Sequence, residues 1–230
     1  MKTDSDLLHD VARELAWDTR VSPTEIGIQV KNAVVTLTGT VDSWAKVRAA
    51  GEAAHRVNGV LDVANDLEAR PAGSGQRTDT EIAMAVRRAL EWDVTVPDQH
   101  IRSTVAHGTV TLEGTVSYWS QRADAERAVE RLAGVKHVRN EIAVEPTDAI
   151  DEDEARQAVE RVLERHAGKE GARVDVRVAG KRVVVRGVVR SLQDKAAILG
   201  AVRATRGVSE VADQLVVEPG SGTHLAGSEH

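Results

Sequence analysis

Apolar positions along this chain change their period in a fixed order, and the order occurs three times. Leu8, Val11, Ala12 and Leu15 step at helical spacing, as do Ile82, Val86 and Leu90, then Ala155, Val159 and Leu163. Each set marks the apolar stripe of an amphipathic helix. Period-two alternation follows in Ile26, Ile28, Val30 and Val35, Leu37, Val41. It returns in Ile101, Val105 and Val110, Leu112, Val116, and again in Val174, Val176, Val178 and Val183, Val185, Val189. Asn32-Ala33, His107-Gly108 and Gly180-Lys181 leave room only for a tight turn, so each pair of runs reads as a hairpin. Ser43, Ser117 and Ser191 stand where they can cap a second helix, which stops before Gly59, Gly134 and Gly207, positions suited to left-handed backbone. A last strand, VLDVANDLEA, VKHVRNEIAV or VSEVADQLVV, closes each copy. The predicted order is α-β-β-α-β.

The copies align without gaps from the end of the first helix onward. GTVDSW at Gly39–Trp44 is answered by GTVSYW at Gly114–Trp119, shifted by 75, and by GVVRSL at Gly187–Leu192, shifted by a further 73. The chain divides into unit one (1–71), a linker (72–78), unit two (79–146), a second linker (147–150), unit three (151–219) and a polar tail (220–230). The predicted class is α+β, three tandem units, each with two helices packed on one face of a small three-stranded sheet. Units of about 68 residues are marginal alone, and the connectors are short, so contacts between units or with a partner are expected.

Composition narrows the chemistry. There is no Cys, which removes disulfides, thiolate metal sites and cysteine nucleophiles together. The formal charge of -6 argues against a nucleic-acid binder. No stretch approaches a membrane span, and the start MKTDSDLLHD lacks the apolar core of a signal peptide. The chain as written is therefore read as cytoplasmic, and as periplasmic if an export signal once preceded it.

Catalysis would require titratable residues that recur at equivalent positions, and they do not. The eight His fall at 9, 55, 100, 107, 137, 166, 224 and 230 without a paired metal-ligand spacing. The acidic run 151–154 opens a helix, where negative charge complements the dipole. Gly168-Lys169-Glu170-Gly171 occurs in one unit only and reads as a loop, not a nucleic-acid clamp. Glycine-rich phosphate loops and nucleophile elbows are absent. No enzyme, metal or cofactor is expected.

Two features stand out. Trp17 and Trp92 end the first helix, and Trp44 and Trp119 begin the second, at matched positions of units one and two. They either plug a core that has no Phe or project toward a lipid interface or a neighbouring protein. The second feature is charge. Alternation places Arg173, Arg177, Arg182, Arg186 and Arg190 on the sheet face of unit three opposite its buried valines, together with Asp175. Such a face either solvates an open sheet or binds an anionic surface.

The glycine, turn and strand pattern, G-[TV]-V, a helix, then G-V-x-x-V-x-[ND]-x-[LI], resembles the BON domain, a bacterial module named for osmotically induced and nodulation-related proteins. The resemblance spans nearly the whole chain. It implies association with phospholipid or envelope surfaces under osmotic stress, with no catalytic residues. Another relative of the family implies an alternative, a cytoplasmic potassium-sensing or protein-interaction module. The expectation is a non-enzymatic protein whose partner is an anionic phospholipid surface or another protein.

Overall fold

The computed structural model describes residues 2–70, 77–147, 151, 153–154, 157–158, 160–161 and 173–218. Ala155, Val159, Leu163, the 168–171 loop, the tail 220–230 and most of both linkers lie outside these.

In unit one, α1 (Asp4–Trp17) leads to β1 (Ile26–Lys31), β2 (Val34–Val41), α2 (Trp44–Arg56) and β3 (Asp62–Ala69). Unit two repeats the order with α3 (Asp79–Trp92), β4 (Ile101–Ala106), β5 (Thr109–Val116), α4 (Trp119–Glu130) and β6 (His137–Val144). Unit three has described helical positions between 153 and 161, then β7 (Arg173–Ala179), β8 (Arg182–Val189), α5 (Leu192–Ala204) and β9 (Glu210–Val217). Each unit has its own sheet, with the hairpin strands antiparallel and the third strand parallel to the second. The three-unit α+β architecture is the predicted one.

Helix one begins on a capping box. Thr3 accepts from the Asp6 N–H and Thr78 from the Glu81 N–H. Its buried stripe in unit one is Leu7, Val11 and Leu15, spaced by four, so Leu7 leads the stripe and the expected Leu8 is only half-buried beside it. Asp4 then ties the helix to the hairpin: its carboxylate accepts from the N–H groups of Asn32 and Ala33, both at 2.9 Å. Those turn residues have φ of 52° and 60°, the left-handed region a two-residue hairpin turn requires. Asp79 does the same for His107 and Gly108, and these two N–H groups hold its carboxyl below the usual range.

The repeated motif is architectural. Gly39 has φ 127°, and a Cβ there would lie 2.2 Å from the Glu25 carbonyl oxygen; at Gly114 the distance to the His100 carbonyl would be 2.0 Å. Only glycine lets the strand approach that closely. Asn65 and Asn140 donate to the carbonyls of Val47 and Arg122, pinning strand three to helix two. In unit three the pair becomes Asp213 and Lys195, 2.8 Å apart.

The serine caps hold in one unit of three. Ser191 accepts from the Asp194 N–H at 3.1 Å, whereas Ser43 is an N-cap whose side chain makes no bond to the helix N–H groups. In α4 the N-cap moves to Tyr118, because the Gln121 side chain reaches back to accept from both the Ser117 and Tyr118 N–H groups.

Candidate anionic-surface site and the seams between units

The four Trp have two different placements. Trp17 and Trp92, at the C-terminal ends of α1 and α3, are 80% and 86% exposed. They contribute almost nothing to the cores. Trp44 and Trp119, one residue into their helices, are half-buried and reach into the next unit. Trp44 packs against the cores of both unit one and unit two, edge-on to His137 with ring centroids 4.2 Å apart. Trp119 donates its indole N–H to the Val208 carbonyl of unit three at 3.1 Å. Leu192, at the same position of unit three, packs against the core of unit one. Contacts thus run from unit one to two, two to three and three to one, a closed cycle built on the first residue of each second helix.

Charge reinforces the cycle unevenly. Arg48 on α2 meets Glu130 at the end of α4, Nε to Oε2 at 2.9 Å. Burial pushes the Glu130 carboxyl up, and Arg48 pulls it back. Burial also lowers His55, which lines the cleft facing α5, and His137, beneath Trp44. In unit one, Asp18 is held far below the carboxylate range first by Arg20 and then by Arg56.

The arginine face is built by the β7–β8–β9 register. Asp175 stands opposite Arg186, Arg177 opposite Val184 and Ala179 opposite Arg182, so these side chains share the face away from Val183 and Val185. Arg177, Arg182, Arg186 and Arg190 are exposed; Arg173 is in β7, and its side chain lies outside the described set. Alternation places Asp175 beside Arg177 but could not show the cross-strand partner of Arg182. Arg177 sits 2.9 Å from Asp175, and Arg182 3.3 Å from Glu210 on the neighbouring strand. Arg186 and Arg190 have no carboxylate within ion-pair distance among the described residues. The seam residues Arg48, Glu130, His137 and Arg203 were not singled out by sequence. For Arg48, Glu130 and Arg203 the signal was the variation at positions 48, 123 and 196 and at 55, 130 and 203, which face each other only once the units are assembled.

The acidic run behaves as a cap: Asp151 accepts from the N–H groups of Asp153 and Glu154 at 2.9 and 3.0 Å. Among the described residues no group of three or more His, Asp or Glu side chains comes together to hold a metal ion. Among them, too, no helix is long and apolar enough to cross a membrane.

Comparison with known proteins agrees with this architecture. A model of the BON domain matches residues 3–71, 78–146 and 151–219. The chain is similar to osmotically-inducible protein Y of Escherichia coli (strain K12), 32% identical over 143 residues that cover 60% of this chain and 71% of that protein. It is also similar to an uncharacterized protein in the gshII 5' region of Anaplasma centrale, 31% identical over 113 residues covering 46% of this chain and 74% of the other. A solved structure of CdsD, a structural protein of the type III secretion system of Chlamydia trachomatis, aligns over 94% of both chains at 13% identity. Its TM-score is 0.25, too loose a superposition to carry weight. With matches that run through all three units, the chain belongs to the BON domain family.

Proposed function

We propose that this protein is a non-enzymatic binding protein that associates peripherally with anionic phospholipid surfaces during osmotic stress. The stress context follows from the osmotically inducible relative in Escherichia coli. The observation that carries the surface reading is the exposure of Trp17 and Trp92 at matching ends of two units, where neither supports a core. Indole rings suit the boundary between headgroups and acyl chains.

Charge alone is not enough. Each Lys or Arg near an anionic membrane contributes about 1 kcal/mol, and two arginines of the unit-three face are already paired. Arg186 and Arg190 would give about 2 kcal/mol, weaker than millimolar affinity. Insertion of both Trp, with the arginine face adding attraction, makes the binding multivalent.

The test is co-sedimentation with neutral and with phosphatidylglycerol-rich vesicles at low and physiological salt. Binding to anionic vesicles alone, weakened by salt, supports the reading; binding to neither defeats it.

A further inference from the structure

The three seams use equivalent positions with different side chains. Between units one and two, position 48 is Arg and faces Glu130, a pair closed within the chain. Between units two and three the same positions are Ala123 and Arg203. The cation has changed sides, and position 123 offers it no anion. Ala123 leaves open a cleft of about 410 Å³, lined also by Trp119, Arg122, Ser117, Tyr118 and Ser120. The Arg203 guanidinium stacks 5.1 Å from the Trp119 ring centre and has no carboxylate partner among the described residues. Arg122 flanks the same ring at 5.4 Å, fixed by donating to the carbonyls of Ile142 and Asn140. A basic residue in the last turn of α5 suits the helix dipole, but the dipole does not account for its stacking over an aromatic of another unit. Glu126 lines the cleft and accepts from Asn140.

We infer that this cleft binds a phosphate-bearing group of about glycerol phosphate size, which supplies the anion that Glu130 supplies at the neighbouring seam. Guanidinium forks match phosphate oxygens, the hydroxyls of Ser117, Tyr118 and Ser120 add further donors, and the volume lies at the small end of ligand pockets. The group comes either from a lipid headgroup or from a soluble phosphomonoester. The inference depends on the membrane reading only for that choice of source.

The experiment follows the Trp119 indole N–H cross-peak of the full chain, identified by its loss in Trp119→Phe, during titration with glycerol phosphate and with inorganic phosphate. Sodium chloride at matched ionic strength is the control. A saturable shift in roughly the millimolar range, absent with chloride, is expected. Arg203→Gln should raise the half-saturation about tenfold. Ala123→Glu, which gives Arg203 an internal partner, should abolish the shift while keeping the fold. Equal shifts with chloride, or unchanged binding in Ala123→Glu, would overturn the site. If Ala123→Glu also loses vesicle binding, the source is a headgroup; if vesicle binding persists while glycerol phosphate binding is lost, it is a soluble ester. Vesicle binding without any phosphate-specific shift removes this site alone, and a phosphate-specific shift without vesicle binding removes the membrane reading alone.

Discussion

Arg48 and Glu130 join two units across a seam that the chain crosses only through a linker: Arg48 Nη2 donates to Oε1 at 3.1 Å, and the glutamate is 2% exposed. Removing the cation strands a buried carboxylate, with Arg131 3.8 Å away as the remaining help. Arg48→Ala should therefore cost roughly 2–3 kcal/mol in chemical denaturation at neutral pH. The other seams do without this pair, holding Ala123 with Arg203 and Ala196 with His55. Arg48→Met combined with Glu130→Met should accordingly be close to neutral. A double variant as unstable as the single would show that the pair is required.

The pH dependence has two opposed parts. Asp6, Asp18, Asp42, Asp79, Glu81 and Asp93 all have folded-state pKa values below their unfolded ones, through hydrogen bonds or ion pairs. Their contribution is present above the ordinary carboxylate values and is lost as pH falls from there through the lowered folded-state values. Glu130 has the opposite sign: raised by burial, it binds its proton more tightly in the folded protein and gains stability on acidification. The net expectation is a fall in thermal stability below about pH 4; Glu130→Gln removes the opposing gain, which falls above the ordinary glutamate value of 4.5, and leaves the limb below it unchanged.

Histidine adds an earlier step. Burial lowers His55 and His137, so the unfolded chain takes up protons first as pH drops below the ordinary value of 6.5. Stability should begin to decline there. Replacing both by Gln should flatten the thermal profile just below the ordinary histidine value of 6.5 without altering the acid limb; an unchanged profile would contradict the assignment.

Gly39→Ala or Gly114→Ala should each cost about 2–4 kcal/mol, from positive φ combined with a Cβ driven into a backbone carbonyl. Gly180→Ala tests the contrast, because among the described residues nothing lies within 4 Å of a Cβ there and only the φ of 64° is strained. Its cost should stay near about 1 kcal/mol.

Trp exposure predicts a clean separation of roles. Trp17→Ala with Trp92→Ala should change stability by less than about 0.5 kcal/mol and abolish vesicle binding. Trp119→Ala should cost about 3 kcal/mol or more by opening the seam to unit three. Loss of stability in the first variant, measured by thermal melting, would place those rings in structure instead of function.

Much of the fold was legible because its causes are local. Alternating valines define strands, Asn32-Ala33 and His107-Gly108 define turns, and Gly59, Gly134 and Gly207 with φ of 102°, 94° and 82° sit where a helix must end. Local competition escaped the pattern. Ser117 lost the cap because the side chain of Gln121 reaches back across the first turn. Leu7 displaced Leu8 because four-residue steps to Val11 and Leu15 keep one narrow stripe against the sheet.

The site divides in the same way. Period-two alternation put Asp175, Arg177, Arg182 and Arg186 on one face, yet only the strand register placed Glu210 beside Arg182. The four Trp looked alike in pairs along the chain. Their separation into an exposed pair and a seam pair depends on how whole units pack.

Period, turn chemistry and repetition, which arise from residues within a few positions of one another, determined by themselves that this protein is three tandem units of one topology. Only the tertiary structure decided which equivalent side chains face each other around the cycle, because Arg48 with Glu130 and Ala123 with Arg203 stand about 80 residues apart. Charge pairing and burial depend on distance in space, and no spacing along the chain encodes it.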